Sequence, residues 1–146
     1  MKFVGLTMRV EALSKIKEKR DSIDQRWYNF LDMCNLHPIL IPNSESFVSE
    51  KYLNKLSGII LTGGNSLSHL QGDAQERDKV ENKIVKYATE KNLPLMGVCR
   101  GMQILQNYYG VSIEKVAYHV GTRHNLIFRN QQINVNSFHN YGATTT

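Results

Sequence analysis

A cysteine between two glycines, at the end of a short apolar run, constrains this chain more than any other feature. Residues 93–98 are mostly apolar, the pattern Gly97-x-Cys99-x-Gly101 overlaps their end, and a helical pattern begins at once. This layout is typical of a nucleophile elbow, a sharp strand-to-helix turn that presents a reactive side chain above a parallel sheet. The glycines keep Cβ atoms out of the turn, and the helix N-terminus favours a thiolate. We interpret Cys99 as a nucleophile, and Cys34, which lacks this context, as structural.

Composition sets broad limits on the class of protein. The chain has 146 residues, of which 41% are hydrophobic, so we expect one domain spanning residues 1–146. The two cysteines lie in different contexts and form no metal-binding spacing, so we expect no metal or other cofactor. Unpaired cysteines and the lack of an export signal or long apolar run favour a cytoplasmic protein that does not bind membranes.

The formal net charge of +5 raises the question of a nucleic-acid partner. The basic residues of segment 15–20 are interleaved with acidic residues and lack interspersed aromatic side chains. A solvated helix face explains this pattern better than a nucleic-acid surface, so we expect no nucleic-acid partner.

Apolar runs and helical periodicities alternate along the chain. Strands are predicted at 2–7, 37–42, 58–62 and 94–98, and helices at 11–35, 46–56, 74–91 and 100–109. Residues 112–137 show strand-like alternation in places. Continuous apolar strands that alternate with helices predict an α/β fold with a parallel sheet covered on both faces.

A Gly63-Gly64 pair follows the third predicted strand directly. Because the carboxyl ends of parallel strands share one edge of the sheet, this pair and Cys99 are expected to meet in one crevice. The backbone N–H of Gly64, together with that of Arg100, would then form an oxyanion hole for an attacked carbonyl. The alternative is that the glycine pair is only a loop.

Four segments together resemble the class I glutamine amidotransferases, and within them the γ-glutamyl hydrolase branch (peptidase C26-like). They are Thr62-Gly63-Gly64, Arg77-Asp78-x-x-Glu81, the run from Leu93 to Gln103, and Val135-Asn-Ser-Phe-His139. The resemblance implies a flavodoxin-like three-layer sandwich with a mainly parallel sheet and a Cys-His-Glu triad. It also implies that Cys99 attacks the γ-carbonyl of a small γ-glutamyl amide and forms a thioester that water then cleaves.

The same resemblance implies a set of substrate-binding residues: Gly63, Asn65, Gln103, Ser137 and His139. Asn65 replaces a residue that is usually Asp in this branch, and it resembles relatives that hydrolyse γ-glutamyl-CDP-amidate in surface-polysaccharide metabolism. The polar loop 65–69 offers donors and acceptors beside the predicted oxyanion hole. We therefore expect the amine portion of the substrate to be bulky or charged.

The family's catalytic His and Glu lie in a later motif, and this chain contains no His-x-Glu. We expect a C-terminally truncated domain with little activity, and an exposed sheet edge that promotes self-association. Two other functions stay open. One is an ammonia-supplying glutaminase subunit that docks on a synthase, and the other is a non-catalytic module that binds γ-glutamyl compounds.

Overall fold

A computed structural model describes residues 1–143. Its strands are β1 Phe3–Thr7, β2 Arg9–Leu13, β3 Glu18–Ser22, β4 His37–Ile41, β5 Gly58–Leu61, β6 Leu95–Gly97, β7 Glu114–Lys115, β8 Val120–Phe128, β9 Gln131–Phe138 and β10 Tyr141–Gly142. Its α-helices are α1 Arg26–Met33, α2 Glu50–Leu53, α3 Gln75–Lys91 and α4 Arg100–Tyr108, and Ser68–Leu70 forms one 3₁₀ turn.

The centre of the molecule is a parallel four-stranded sheet in the order β4-β1-β5-β6. Alternate residues of its strands serve two cores, as the two-residue period of a strand requires. Leu6 and Ile60 pack with Leu31 of α1 on one face, while Ile59 and Leu61 pack with α3 and α4 on the other. The predicted α/β sandwich with a parallel sheet is therefore confirmed.

The predicted helix over 11–35 is wrong in its first half. Residues 9–22 form the antiparallel hairpin β2–β3, and only Arg26–Met33 is helical. The helical spacing is real from Ile23 through Trp27 to Leu31, and these side chains pack together. Ile16 extended that spacing by coincidence, because it lies in the hairpin turn and is 56% exposed. The basic residues of segment 15–20 are exposed, as expected, but on a hairpin rather than a helix.

Two other segments differ in extent from their predictions. The helix expected at 46–56 is a single turn, Glu50–Leu53, which Ser49 caps by accepting a hydrogen bond from the backbone N–H of Tyr52. The strand-like alternation before residue 138 is confirmed as the hairpin β8–β9, which pairs with no other strand among residues 1–143. Within that described range, no helix is both long and apolar enough to cross a bilayer.

Replacing Leu31 and Ile16 with alanine distinguishes the hairpin from the longer helix. Leu31 is fully buried, so we expect Leu31→Ala to lower the free energy of unfolding by about 2–5 kcal/mol. Ile16→Ala should change it by less than about 0.5 kcal/mol, because the side chain already faces water. Urea unfolding measures both, and an equal loss in the two variants would contradict the hairpin.

Candidate active site

Cys99 occupies the turn between β6 and α4 in a strained conformation. Its φ of 54° and ψ of −110° lie in a region that residues with a side chain rarely adopt, and its side chain is exposed. Such strain costs about 1–3 kcal/mol and persists only where the surrounding structure enforces it. Cys99 is also the N-cap residue of α4, so the first free N–H groups of the helix lie beside the sulfur.

The two flanking glycines are what make this turn sterically feasible. A Cβ on Gly97 would lie 2.5 Å from the carbonyl oxygen of Gly101, and a Cβ on Gly101 would lie 2.0 Å from that of Leu61. Both contacts are with backbone, which cannot rotate away. The elbow therefore brings α4 against the end of β5 at a distance that only glycine permits.

The Gly63-Gly64 turn lies against the cysteine, as the sequence predicts. A Cβ built on Gly63 would lie 3.4 Å from Cys99 Cβ and 3.8 Å from Sγ. Arg77 of α3 binds this turn from behind, donating to the carbonyl oxygens of Gly63 at 3.0 Å and Thr62 at 2.8 Å. Because a trans peptide directs its N–H opposite to its C=O, the N–H of Gly64 points away from Arg77.

The elbow is fastened to the same helix by Arg100. Its guanidinium is 1% exposed and forms ion pairs with Glu81 and Asp78 of α3. Glu81 is itself fully buried and accepts a second hydrogen bond, at 2.9 Å, from Arg77. Burial lowers the pKa of Arg77, and the Glu81 carboxylate opposes that shift. A guanidinium is protonated in proteins, so two buried cations share the Glu81 carboxylate.

One cavity of about 240 Å³ brings most of the predicted residues together. Its lining includes Cys99, Gly64, Asn65, Arg100, Gln103 and His139. Gly63 lies next to Cys99 but lines a neighbouring cavity instead. Ser137 does not line the cavity: it is 4% exposed, and its hydroxyl donates to the carbonyl oxygen of His119 at 2.8 Å.

His139 and Gln103 are held in the cavity by the same backbone group. His139 Nδ1 and Gln103 Nε2 lie 2.8 Å and 2.9 Å from the carbonyl oxygen of Tyr141. His139 Nε2 lies 3.3 Å from Nδ1 of His119, whose ring also stacks edge-on against His124. Both nitrogens of His139 are therefore engaged, which suits a residue of the cavity wall better than a base for Cys99.

The side chain of Asn65 forms its hydrogen bonds with other residues of the protein. Its Oδ1 accepts from the backbone N–H of Val10 at 2.8 Å, and its Nδ2 donates to the Val10 carbonyl at 3.0 Å. The carboxamide thus imitates a neighbouring strand and binds β2 to the glycine turn. Arg77 also reaches Oδ1 at 3.3 Å.

Sequence reasoning gave no role to the residues that hold the site together. Arg77 and Glu81 lie four residues apart in α3, on the side that also carries Val80 and Ile84. Charged residues at apolar helix positions are a usable signal, because they are almost never fully buried unless they are paired. No comparable sequence pattern indicated Arg9 or Tyr141, because their positions near the site depend on tertiary contacts.

A cysteine at a strand-to-helix elbow, facing a glycine turn at the edge of a parallel sheet, defines the class I glutamine amidotransferase-like proteins. The Peptidase C26 family model matches residues 2–126, so the chain belongs to that family. This confirms the resemblance.

Two relatives agree with this assignment, and one solved structure shares the fold. The chain is 30% identical over 144 residues to a γ-glutamyl-CDP-amidate hydrolase of Campylobacter jejuni, covering 95% of this chain and 70% of that protein. It is 30% identical over 105 residues to a γ-glutamyl-γ-aminobutyrate hydrolase of Escherichia coli O157:H7, covering 64% of this chain and 41% of the relative. A glutamine amidotransferase structure from Thermotoga maritima superposes with a TM-score of 0.69 at 16% identity, covering 97% of this chain and 61% of that one.

Removing the charge of Glu81 tests the buried ion network. We expect Glu81→Gln to lower the free energy of unfolding by about 3–5 kcal/mol, because two buried guanidinium groups lose their shared carboxylate. Glu90→Gln is the matched control on the same helix. Its partner Lys86 is 4.0 Å away and both are exposed, so the loss should stay below about 1 kcal/mol. Equal losses in chemical denaturation would show that the network contributes little.

The histidine cluster predicts a dependence of stability on pH. Partial burial, followed by the charges of His124 and His139, lowers the pKa of His119 from its ordinary 6.5. The unfolded chain then binds more protons than the native chain as the pH falls through about 6.5, so stability should decrease with acidification until the folded pKa is passed. His119→Gln should flatten this part of the stability curve, whereas the exposed His69→Gln should not. Urea midpoints between roughly pH 5 and 8 measure the effect, and a curve unchanged by His119→Gln would contradict it.

Proposed function

We propose that this chain acts in hydrolysis of a γ-glutamyl amide through a thioester on Cys99. The observation that carries the proposal is the elbow: a strained, exposed cysteine at the start of α4, in contact with the Gly63 turn. The C26 assignment and the two hydrolase relatives support the reaction class.

The reaction takes place in two steps at the γ-carbonyl carbon. Cys99 Sγ, as thiolate, bonds to that carbon, the C–N bond breaks, and the departing nitrogen takes a proton. Water then adds to the thioester, the C–S bond breaks, and the sulfur regains its proton as glutamate leaves. Charge develops on the carbonyl oxygen in both steps, so donors fixed in advance accelerate both.

The N–H groups of Gly64 and Arg100 are our candidates for those donors. Arg77 holds the turn by its carbonyl oxygens, which leaves the N–H of Gly64 directed away from α3. The N–H of Arg100 belongs to the first turn of α4, where N–H groups lack intrahelical partners. Both residues line the cavity that contains Cys99.

Gln103 and His139 are our candidates for binding the glutamyl group. They line the same cavity and are oriented by their bonds to Tyr141, which leaves Gln103 Oε1 for the substrate. Ser137 would then act indirectly, by fixing His119 behind His139. Asn65 would act by fixing β2 rather than by binding the substrate itself.

Trapping of the thioester tests the nucleophile. After incubation with a γ-glutamyl amide and acid quenching, intact mass spectrometry should show one added glutamyl group on the wild-type chain. Cys99→Ala should remove the adduct, while Cys34→Ala, at the other exposed cysteine, should keep it. An adduct that survives Cys99→Ala, or that depends on Cys34, would refute the proposal. A γ-glutamyl ligand that binds tightly and forms no adduct would indicate a binding module instead.

The rank order of substrates separates the hydrolase from the glutaminase. We expect the enzyme to prefer substrates with a bulky or charged amine portion. The kcat/KM should therefore be higher for γ-glutamyl-CDP-amidate or γ-glutamyl-γ-aminobutyrate than for glutamine. A preference for glutamine, with turnover that rises when a synthase is added, would establish the ammonia-supplying alternative.

A further inference from the structure

A second cavity adjoins the one that would hold the glutamyl group, and Gly64 lines both. It measures about 250 Å³ and is lined by the Gly63-Gly64 turn, by Val98 and by residues of the hairpin β2–β3 and of α1. A Cβ built on Gly63, which lines this cavity, would lie 3.8 Å from Cys99 Sγ. A substrate whose γ-carbonyl lies at the sulfur therefore has further room across the glycine turn.

The sizes of the cavities fit a divided substrate. The Cys99 cavity of about 240 Å³ is smaller than the roughly 300–1,000 Å³ typical of pockets for drug-sized ligands. Its size suits a glutamyl group. The second cavity continues past Trp27 and Val98 into an outer groove of about 450 Å³, so the larger space lies on the hairpin side.

Arg9 supplies the cation in the lining of the second cavity. Its side chain packs on the glycine turn so closely that a Cβ on Gly64 would lie 2.9 Å from Arg9 Cβ. Its Nε donates to Ser22 Oγ at 3.2 Å, and its Nη2 pairs with Glu11 at the surface. Nη1 has no hydrogen-bond partner within residues 1–143, so it is available for an anion. Guanidinium groups bind phosphoryl oxygens with strong, charge-assisted hydrogen bonds.

Trp27 is the aromatic residue in the lining of the second cavity. It lines both the inner cavity and the outer groove, where it meets Phe30 edge-on with ring centroids 5.8 Å apart. An indole that faces a groove is a stacking surface for a planar ring. Asp24, which lines both the second cavity and the outer groove, is an acceptor for N–H or O–H groups. Arg26 lowers the pKa of Asp24 to about 2, so that carboxyl stays ionised.

We infer that this cavity is the leaving-group subsite and that it takes a nucleotide. The inference rests on the proposed γ-glutamyl hydrolysis. The cavity lining combines a cation, an acceptor and an aromatic wall. A nucleotide joined to the glutamyl group through its phosphate presents the three matching groups: an anion, sugar hydroxyls and a planar base. Asn65 is the positioning residue, because its carboxamide fixes the strand that carries Arg9.

The single tryptophan of the chain gives a direct readout that needs no turnover. CDP added to the Cys99→Ala chain should quench Trp27 fluorescence saturably, with N-acetyltryptophanamide as the control for absorption by the nucleotide. Arg9→Gln should raise the Kd by about tenfold or more. Arg20→Gln, on the same hairpin but outside the cavity lining, should leave it unchanged. Quenching without saturation, or an equal Kd in the two variants, would overturn the subsite. Equally tight binding of pyrophosphate would overturn the part given to Trp27.

Turnover separates failure of the subsite from failure of the proposed function. Trp27→Leu and Arg9→Gln should each lower kcat/KM for γ-glutamyl-CDP-amidate at least tenfold more than for glutamine. Tyr28→Leu, on the same helix but outside both lining sets, should not change the ratio. Equal effects on both substrates would overturn the subsite and leave thioester chemistry standing. CDP binding by a chain with Cys99 intact that forms no thioester with any γ-glutamyl amide would overturn both the hydrolysis and this use of the cavity.

Discussion

The geometry of the site depends on one carboxylate, that of Glu81, which two buried arginines share. Arg77 and Arg100 approach it from opposite parts of the site, and Asp78 completes the balance of charge by pairing with Arg100. Removing four charges from water is costly, and the cost is offset only where partners and hydrogen bonds are complete. In this site the hydrogen bonds are nearly complete. The side-chain N–H groups of Arg77 bind Glu81, Asn65 and the backbone of the glycine turn. Only Nε of Arg100, among the guanidinium nitrogens of the two arginines, has no partner among residues 1–143.

This network makes α3 the rigid reference for both halves of the site. Through Arg77 the helix fixes the Gly63-Gly64 turn, and through Arg100 it fixes the elbow that carries Cys99. The strained backbone of Cys99 can persist because the glycine turn beside it and Arg100 after it are both held in place. A reactive thiol and donors for a developing oxyanion need fixed relative positions, since loosely held donors lose most of their effect. The buried charges therefore serve geometry more than stability.

The hairpin β2–β3 extends the same logic outward. The carboxamide of Asn65 forms hydrogen bonds with the backbone of β2 and with Arg77. The glycine turn, the buried ion network and the hairpin are therefore connected to one another. On the far side, β10 performs a similar task, because the carbonyl of Tyr141 positions Gln103 and His139. Gly64 lines a cavity on each side, and Cys99 lines the one that Tyr141 also lines. The proposed division of a substrate into glutamyl and leaving-group portions follows from that arrangement.

The sequence alone determined the class of fold, the elbow and the crevice. Periodicity and glycine placement are local properties, and β1, β4, β5, β6, α3 and α4 lie close to their predicted positions. The sequence did not determine residues 9–22, where helical spacing at Ile16 was accidental, nor the partners of Arg77, Asn65 and Tyr141. These features depend on which segments pack together in the folded chain. A buried charge or amide is stable only with a partner, and here the partner is distant in sequence. Tertiary structure alone placed Arg9 and Trp27 in one cavity with the glycine turn, since it alone decided where the hairpin and α1 pack.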